Sequence, residues 1–162
     1  MFKLPALENM TREQKLDYMI LSLKNQIDIE QDELAIFANS AALLEVFLDR
    51  INWAGYYFLK EDQLVLGPFQ GLPACTRIEM GNGIVGKCAE NKESIIVPDV
   101  YAFEGHIFCD ANSRSEICIP IFKGEEIYGV LDIDSPEEDR FDDIDEKYLK
   151  KFIKIIEGNL LS

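Results

Sequence analysis

At 162 residues, 48% hydrophobic and 28% charged, the chain has room for one domain with a real core and is too apolar to be disordered. A net charge of −14 repels phosphate backbones and anionic lipid, so no nucleic-acid or membrane partner is expected. No apolar run is long enough to span a bilayer, and MFKLPALENM lacks the basic region, apolar run and cleavage site of a secretory signal, so a cytoplasmic protein is expected.

Thr11 and Gln14 have the spacing of a capping box, and Leu16, Met19, Ile20, Leu23 and Ile27 follow at helical period. They predict a helix over about Thr11–Gln26. A second helix is expected over about Glu33–Leu48, with Leu34, Phe37, Ala38, Ala41, Leu44 and Phe47 on one stripe. At Ile51 the period changes. Ile51–Leu59 and Leu64–Phe69 read as a hairpin, Thr76–Met80 as a third strand, and Ile84–Glu90 as a short helix after the break at Gly81 and Gly83. Ser94–Val97 is a strand ended by Pro98. The loop Asp99–Arg114 precedes two hairpin-linked strands, Ser115–Phe122 and Glu126–Ile133. A closing helix, Phe141–Asn159, is capped by Asp142, with Ile144, Tyr148, Phe152, Ile155 and Ile156 as its stripe. The pattern describes a single α+β domain over 1–162: leading helices to about residue 50, sheet and loops over 51–134, and a closing helix over 141–160, with helices packed on a largely antiparallel sheet.

The chemistry concentrates between Gly67 and Glu116, which holds Cys75, Cys88, Cys109 and the only histidine, His106. Loops of this length carry function more often than structure. The four cysteines are spaced by 13, 21 and 9 residues with no CxxC pair, and one histidine does not complete a zinc pattern, so no metal is expected. On the residues alone, Cys109 is either a loop nucleophile or a half-buried structural cysteine, and Cys75 carries the same two readings. Cys118, in an apolar strand, reads as a small buried hydrophobe. His106 reads as a structural hydrogen-bonder. Asp132 and Asp134 sit two apart on one strand and so face the same way, with Glu116 within reach on the preceding strand. They form either a solvent face at a strand end or a cluster suited to an ammonium group, a protonated carboxyl donor or a hard cation. Trp53 and Tyr57, four apart on the first strand, serve either core packing or the wall of a small-ligand pocket.

Several motifs together resemble the free methionine-(R)-sulfoxide reductases, which are built as GAF domains. They are Asn52–Tyr57 (NWAGYY), Leu66–Gly71 (LGPFQG), Pro73–Cys75, Val97–Val100 (VPDV), Gly105–Asp110 (GHIFCD), Ser113–Ile117 (SRSEI) and Gly129–Pro136 (GVLDIDSP). The resemblance covers about Asn52–Asp143. It implies a six-stranded antiparallel sheet with helices on its faces, no bound cofactor, and Cys109 as nucleophile with Cys75 as resolving cysteine. Trp53 and Tyr57 would wall the methylsulfinyl end of the substrate. Glu116, Asp132 and Asp134 would hold the free amino acid and assist at the sulfoxide. A thioredoxin-type dithiol is the implied reductant; a homodimer is one option, and the sequence leaves the oligomeric state open.

The chain departs from the family pattern at one position: in Gly81–Gly86 (GNGIVG), Val85 stands where the family carries a third cysteine. Cys88, one helical turn on, is then the candidate auxiliary thiol. Two other classes of function stand beside the reductase: a GAF-type module that binds a small ligand without chemistry, and a thiol-based oxidant sensor. The presence of two loop thiols favours the enzyme.

Overall fold

In a computed structural model, residues 1–107 and 109–160 are described. After a 3-10 turn at Leu7–Asn9 come α1 (Arg12–Ile27) and α2 (Glu33–Phe47), then β1 (Trp53–Lys60), β2 (Gln63–Gly71) and β3 (Arg77–Glu79). Helix α3 (Gly83–Asn91), β4 (Ile95–Val97), a 3-10 turn at Val100–Ala102, β5 (Ser115–Lys123), β6 (Glu126–Ser135) and α4 (Asp143–Leu160) complete the chain. The strands form one six-stranded sheet in the order β3-β2-β1-β6-β5-β4, with every neighbouring pair antiparallel.

Strand alternation divides the interior in two. Ala54, Tyr56, Ile117, Ile119, Leu131 and Ile133 face α1, α2 and α4 in the larger core. Trp53, Tyr57, Cys118 and Val130 face the other way, against Ile84, Val85, Cys88 and Ala89 of α3. The α3 face carries the functional groups, while the three-helix face anchors the sheet.

The expected capping box forms: the Gln14 N–H donates to Thr11 Oγ1 at 3.2 Å, and the Thr11 N–H to Gln14 Oε1 at 2.9 Å. Asp142 caps α4 by accepting from the Ile144 and Asp145 N–H groups. The α2 stripe forms through Phe37, Ala41, Leu44 and Phe47, all buried, while its other two members and much of the α4 stripe depart from the periodicity. On α2, Leu34 is 67% exposed and Ala38 faces solvent, whereas Ile36, Ser40 and Leu43 are buried. This helix is apolar on nearly every side, so hydrophobicity alone does not fix its rotation. Ser40 goes inward because its hydroxyl bonds the Tyr56 hydroxyl at 2.7 Å and the Phe37 carbonyl at 2.9 Å. On α4, Ile144 is exposed and the buried stripe is Leu149, Phe152, Ile153, Ile156 and Leu160. Asp145 takes the inner place in its first turn, held by Arg12 at 2.8 Å and Arg140 at 3.1 Å. No helix is long and apolar enough to cross a membrane.

Candidate active site

Trp53 and Tyr57 leave β1 on the α3 side and stack with ring centroids 6.0 Å apart; Trp53 also stacks on Phe69 of β2 at 5.3 Å. Both use their polar atoms to hold the segment between β2 and β3. Trp53 Nε1 donates to the Leu72 carbonyl at 3.1 Å, and the Tyr57 hydroxyl to the Cys75 carbonyl at 2.9 Å. Burial and the nearby carboxylates push the Tyr57 phenol up, so it remains a donor. Gly71 lies at φ +134°, and a Cβ there would sit 2.6 Å from Trp53 Cδ1. That position requires glycine both for its backbone and for the indole beside it.

The loop after β4 is fixed at both ends. The Val100 N–H donates to the Arg114 carbonyl at 2.8 Å, and the Arg114 N–H to the Ser135 carbonyl at 2.7 Å. Inside it, the Asn52 amide donates to Asp110 Oδ2 at 2.9 Å and to Ser113 Oγ at 3.2 Å, and Asp110 Oδ1 accepts from the Asn112 N–H at 2.9 Å. These bonds tie the Cys109 segment to the start of β1. Cys75 and Cys109 are joined in a disulfide, with Cα atoms 5.5 Å apart. Phe108, part of the motif that carries the resemblance, lies outside the described residues.

Glu116 and Asp134 are register partners across β5 and β6, as are Cys118 and Asp132. The carboxylates do not form a solvent face: Glu116 is 4% and Asp132 6% exposed, and Asp134 is half-buried. Burial raises all three above the usual carboxylate range, and mutual repulsion carries Glu116 and Asp134 furthest. Three carboxylates that cannot all ionise in one place share protons.

Both groups of residues meet at one cavity of about 40 Å³, lined by Trp53, Tyr57, Cys109, Glu116, Asp132 and Asp134 together with Pro73, Val85, His106 and Ser113. His106 is half-buried there, and burial lowers its imidazole pKa. The N-terminal turn of α3 also borders the cavity through Asn82, Gly83 and Ile84, and the Asn82 side chain does not cap it. Cys88 is fully buried on α3 and is not among the lining residues, and burial pushes its thiol up.

Sequence reasoning missed three features. Asn52 is the brace of the Asp110 loop, a contact spanning 58 residues that no local pattern announces. The α3 N-terminus opens on the cavity, for which Gly81 and Gly83 were a usable signal. Cys118 is buried as expected but is not merely a hydrophobe: its Sγ lies 3.5 Å from Glu116 Oε1 and 3.4 Å from Asp132 Oδ1. Glu116, Cys118 and Asp132 offer ligand-type atoms within 4.8 Å of one another. The Cys118 thiol links these atoms through its two hydrogen bonds.

The GAF domain family model matches residues 32–157. Protein YtsP of Bacillus subtilis (strain 168) is 50% identical over 157 residues, covering 94% of this chain and 96% of that protein. The free methionine-R-sulfoxide reductase of Escherichia coli (strain K12) is 48% identical over 128 residues, covering 79% of this chain and 78% of that protein. The solved structure of the free methionine-R-sulfoxide reductase from Neisseria meningitidis in complex with its substrate superposes with a TM-score of 0.89 at 34% identity, covering 99% of this chain and 93% of that one.

Proposed function

From the premise that this chain belongs to the free methionine-R-sulfoxide reductases of the GAF-domain family, we propose that it reduces free L-methionine-(R)-sulfoxide to methionine with Cys109 as nucleophile and Cys75 as resolving thiol. The observation that carries this reading is the Cys75–Cys109 disulfide, whose Cys109 lines the same cavity as the Glu116, Asp132 and Asp134 carboxylates.

In the reduced enzyme, the Cys109 thiolate attacks the sulfoxide sulfur. That attack forms an S–S bond as the sulfoxide oxygen takes a proton from a neutral carboxyl. The hydroxyl then moves to the cysteine sulfur to give the sulfenic acid; the substrate S–O and the S–S bonds break, and the S–S electron pair stays with methionine as it leaves. Glu116 suits the donor role, because burial and the neighbouring Asp132 and Asp134 raise its carboxyl well above the usual carboxylate range. The Cys75 thiol then condenses with the sulfenic acid, releasing water and forming the disulfide. An external thioredoxin-type dithiol in the cytoplasm returns both thiols by exchange. The protein holds no cofactor in this scheme.

Selectivity for the free amino acid follows from charge. The ionised members of the carboxylate cluster pair with the substrate ammonium, which a peptide-bound residue lacks. The uncapped N-terminal turn of α3 presents backbone N–H groups toward the α-carboxylate, which peptide-bound methionine also lacks. Trp53 supplies the apolar wall for the methyl group.

Incubation with the two separated diastereomers of free methionine sulfoxide and dithiothreitol, with methionine as readout, tests the function. Methionine is expected from the R form alone. Binding without methionine release would mean the non-catalytic module, and equal reduction of an N-acetylated substrate would overturn the ammonium role.

A further inference from the structure

The thiol of Cys118 has no part in the proposed chemistry, yet it lies inside the carboxylate cluster. Cys118 follows Glu116 by two residues on β5, so both side chains leave the same face, and it stands directly across from Asp132 on β6. It is fully buried, and its Sγ reaches Glu116 Oε1 at 3.5 Å and Asp132 Oδ1 at 3.4 Å. An apolar side chain of the same size would fill the space equally well. What sulfur adds is one S–H donor among groups that, once ionised, only accept.

We propose that Cys118 is a positioning residue of the active site, whose S–H donates to the Asp132–Glu116 pair and favours an ionised carboxylate there, so that the two carboxyls share a single proton at the cavity wall. One geometric fact supports it beyond the distances. Glu116 and Asp132 both line the cavity while Cys118 does not, so the thiol approaches the carboxylates from behind. The thiol is also held protonated: burial, Asp132 and Glu116 push it well above the usual range, so it acts as donor only. The other groups that face the cluster are Asp134 on β6, Tyr57 on β1, Cys88 on α3 and Asp110 in the loop. Tyr57 donates to the Cys75 carbonyl, and the Asp110 carboxylate accepts from Asn52 and the Asn112 N–H. Burial of Cys88 keeps its thiol protonated as well.

The sign is fixed by which form the thiol contacts. A donor to a carboxylate favours the charged form, so removing it moves the titration of the pair to higher pH. The test compares wild type with Cys118→Val, Cys118→Ala and Cys118→Ser, using side-chain carboxyl carbon-13 shifts of Asp- and Glu-labelled protein across pH. Both apolar variants should shift the cluster's titration upward by about half to one pH unit, and serine, which keeps a donor, should restore it. The second readout is the pH profile of kcat/KM with dithiothreitol: its acid limb should move up with the titration in both apolar variants, a loss of about 3–10-fold at a fixed pH on that limb. Unchanged titration in both apolar variants, or serine behaving like valine, overturns the proposal. The proposal takes its catalytic meaning from the reductase reading. If the wild type releases no methionine, that reading fails, and the carbon-13 titration alone decides the role of Cys118.

Discussion

Glu116 and Asp134 stand directly opposite each other on adjacent antiparallel strands, and both carboxylates reach one cavity. Like charges opposed across a ladder destabilise a sheet, and here burial adds to the penalty. Glu116→Gln and Asp134→Asn should therefore lower kcat/KM for free methionine-(R)-sulfoxide more than tenfold while raising stability at alkaline pH, where the cluster ionises. The sign follows from linkage: these carboxyls titrate above their unfolded values, so the folded state binds more protons and the wild type loses stability as pH rises through that window. Each amide variant removes about 1–2 kcal/mol of that loss, or roughly 2–8 °C in Tm at pH 8, and should lose the advantage near pH 4. Scanning calorimetry at the two pH values, with methionine release measured alongside, checks both halves.

Cys109→Ser should lower turnover more than about a thousandfold with dithiothreitol as reductant, because a hydroxyl in place of the thiolate is a far weaker nucleophile at neutral pH. Its circular dichroism spectrum should match that of the reduced wild type. Wild-type activity in this variant would remove Cys109 from the mechanism.

Cys75 and Cys88 should separate cleanly. Cys75 already bridges to Cys109, whereas Cys88 is fully buried on α3 and its thiol is pushed up by burial. Cys75→Ser is expected to stall thioredoxin-driven recycling, and Cys88→Ser to leave it within about twofold, since a buried protonated thiol is a poor nucleophile. Peptide mapping after one equivalent of substrate should show the Cys75–Cys109 bridge; a dominant Cys88–Cys109 bridge would transfer the resolving role to Cys88.

Gly71→Ala should raise KM without removing the disulfide. The added methyl would meet Trp53 Cδ1 at 2.6 Å and strain a backbone at φ +134°, moving the indole that forms the apolar wall. Tryptophan fluorescence reports the displacement directly, because Trp53 is the only tryptophan in the chain. A shifted spectrum with an unchanged KM would remove Trp53 from the proposed substrate wall.

On the opposite face, Asp145→Asn should destabilise the fold by about 3 kcal/mol while leaving KM unchanged in the surviving native enzyme. Its buried carboxylate receives Arg12 and Arg140, and Arg140 is itself buried. Urea unfolding measures the loss.

The order of the elements, the antiparallel α+β class and the candidate side chains for the chemistry were legible in the sequence. Two-residue alternation sends Asp132 and Asp134 the same way, and a capping box at Thr11 starts α1 whatever the rest of the chain does. Those are local effects, legible within a few residues. The α2 stripe was legible at Phe37, Ala41, Leu44 and Phe47, but the inward turn of Ser40 and the rotation of α4 were not, because they depend on polar contacts between distant elements: Ser40 with Tyr56, and Asp145 with Arg12 and Arg140. The tertiary structure alone decided that the carboxylates are buried, since burial depends on α3 and the loops covering the ends of β5 and β6. It also decided what Cys118 touches. In the chain it is one apolar residue among others, and only the register of β5 against β6 places its sulfur between two carboxylates.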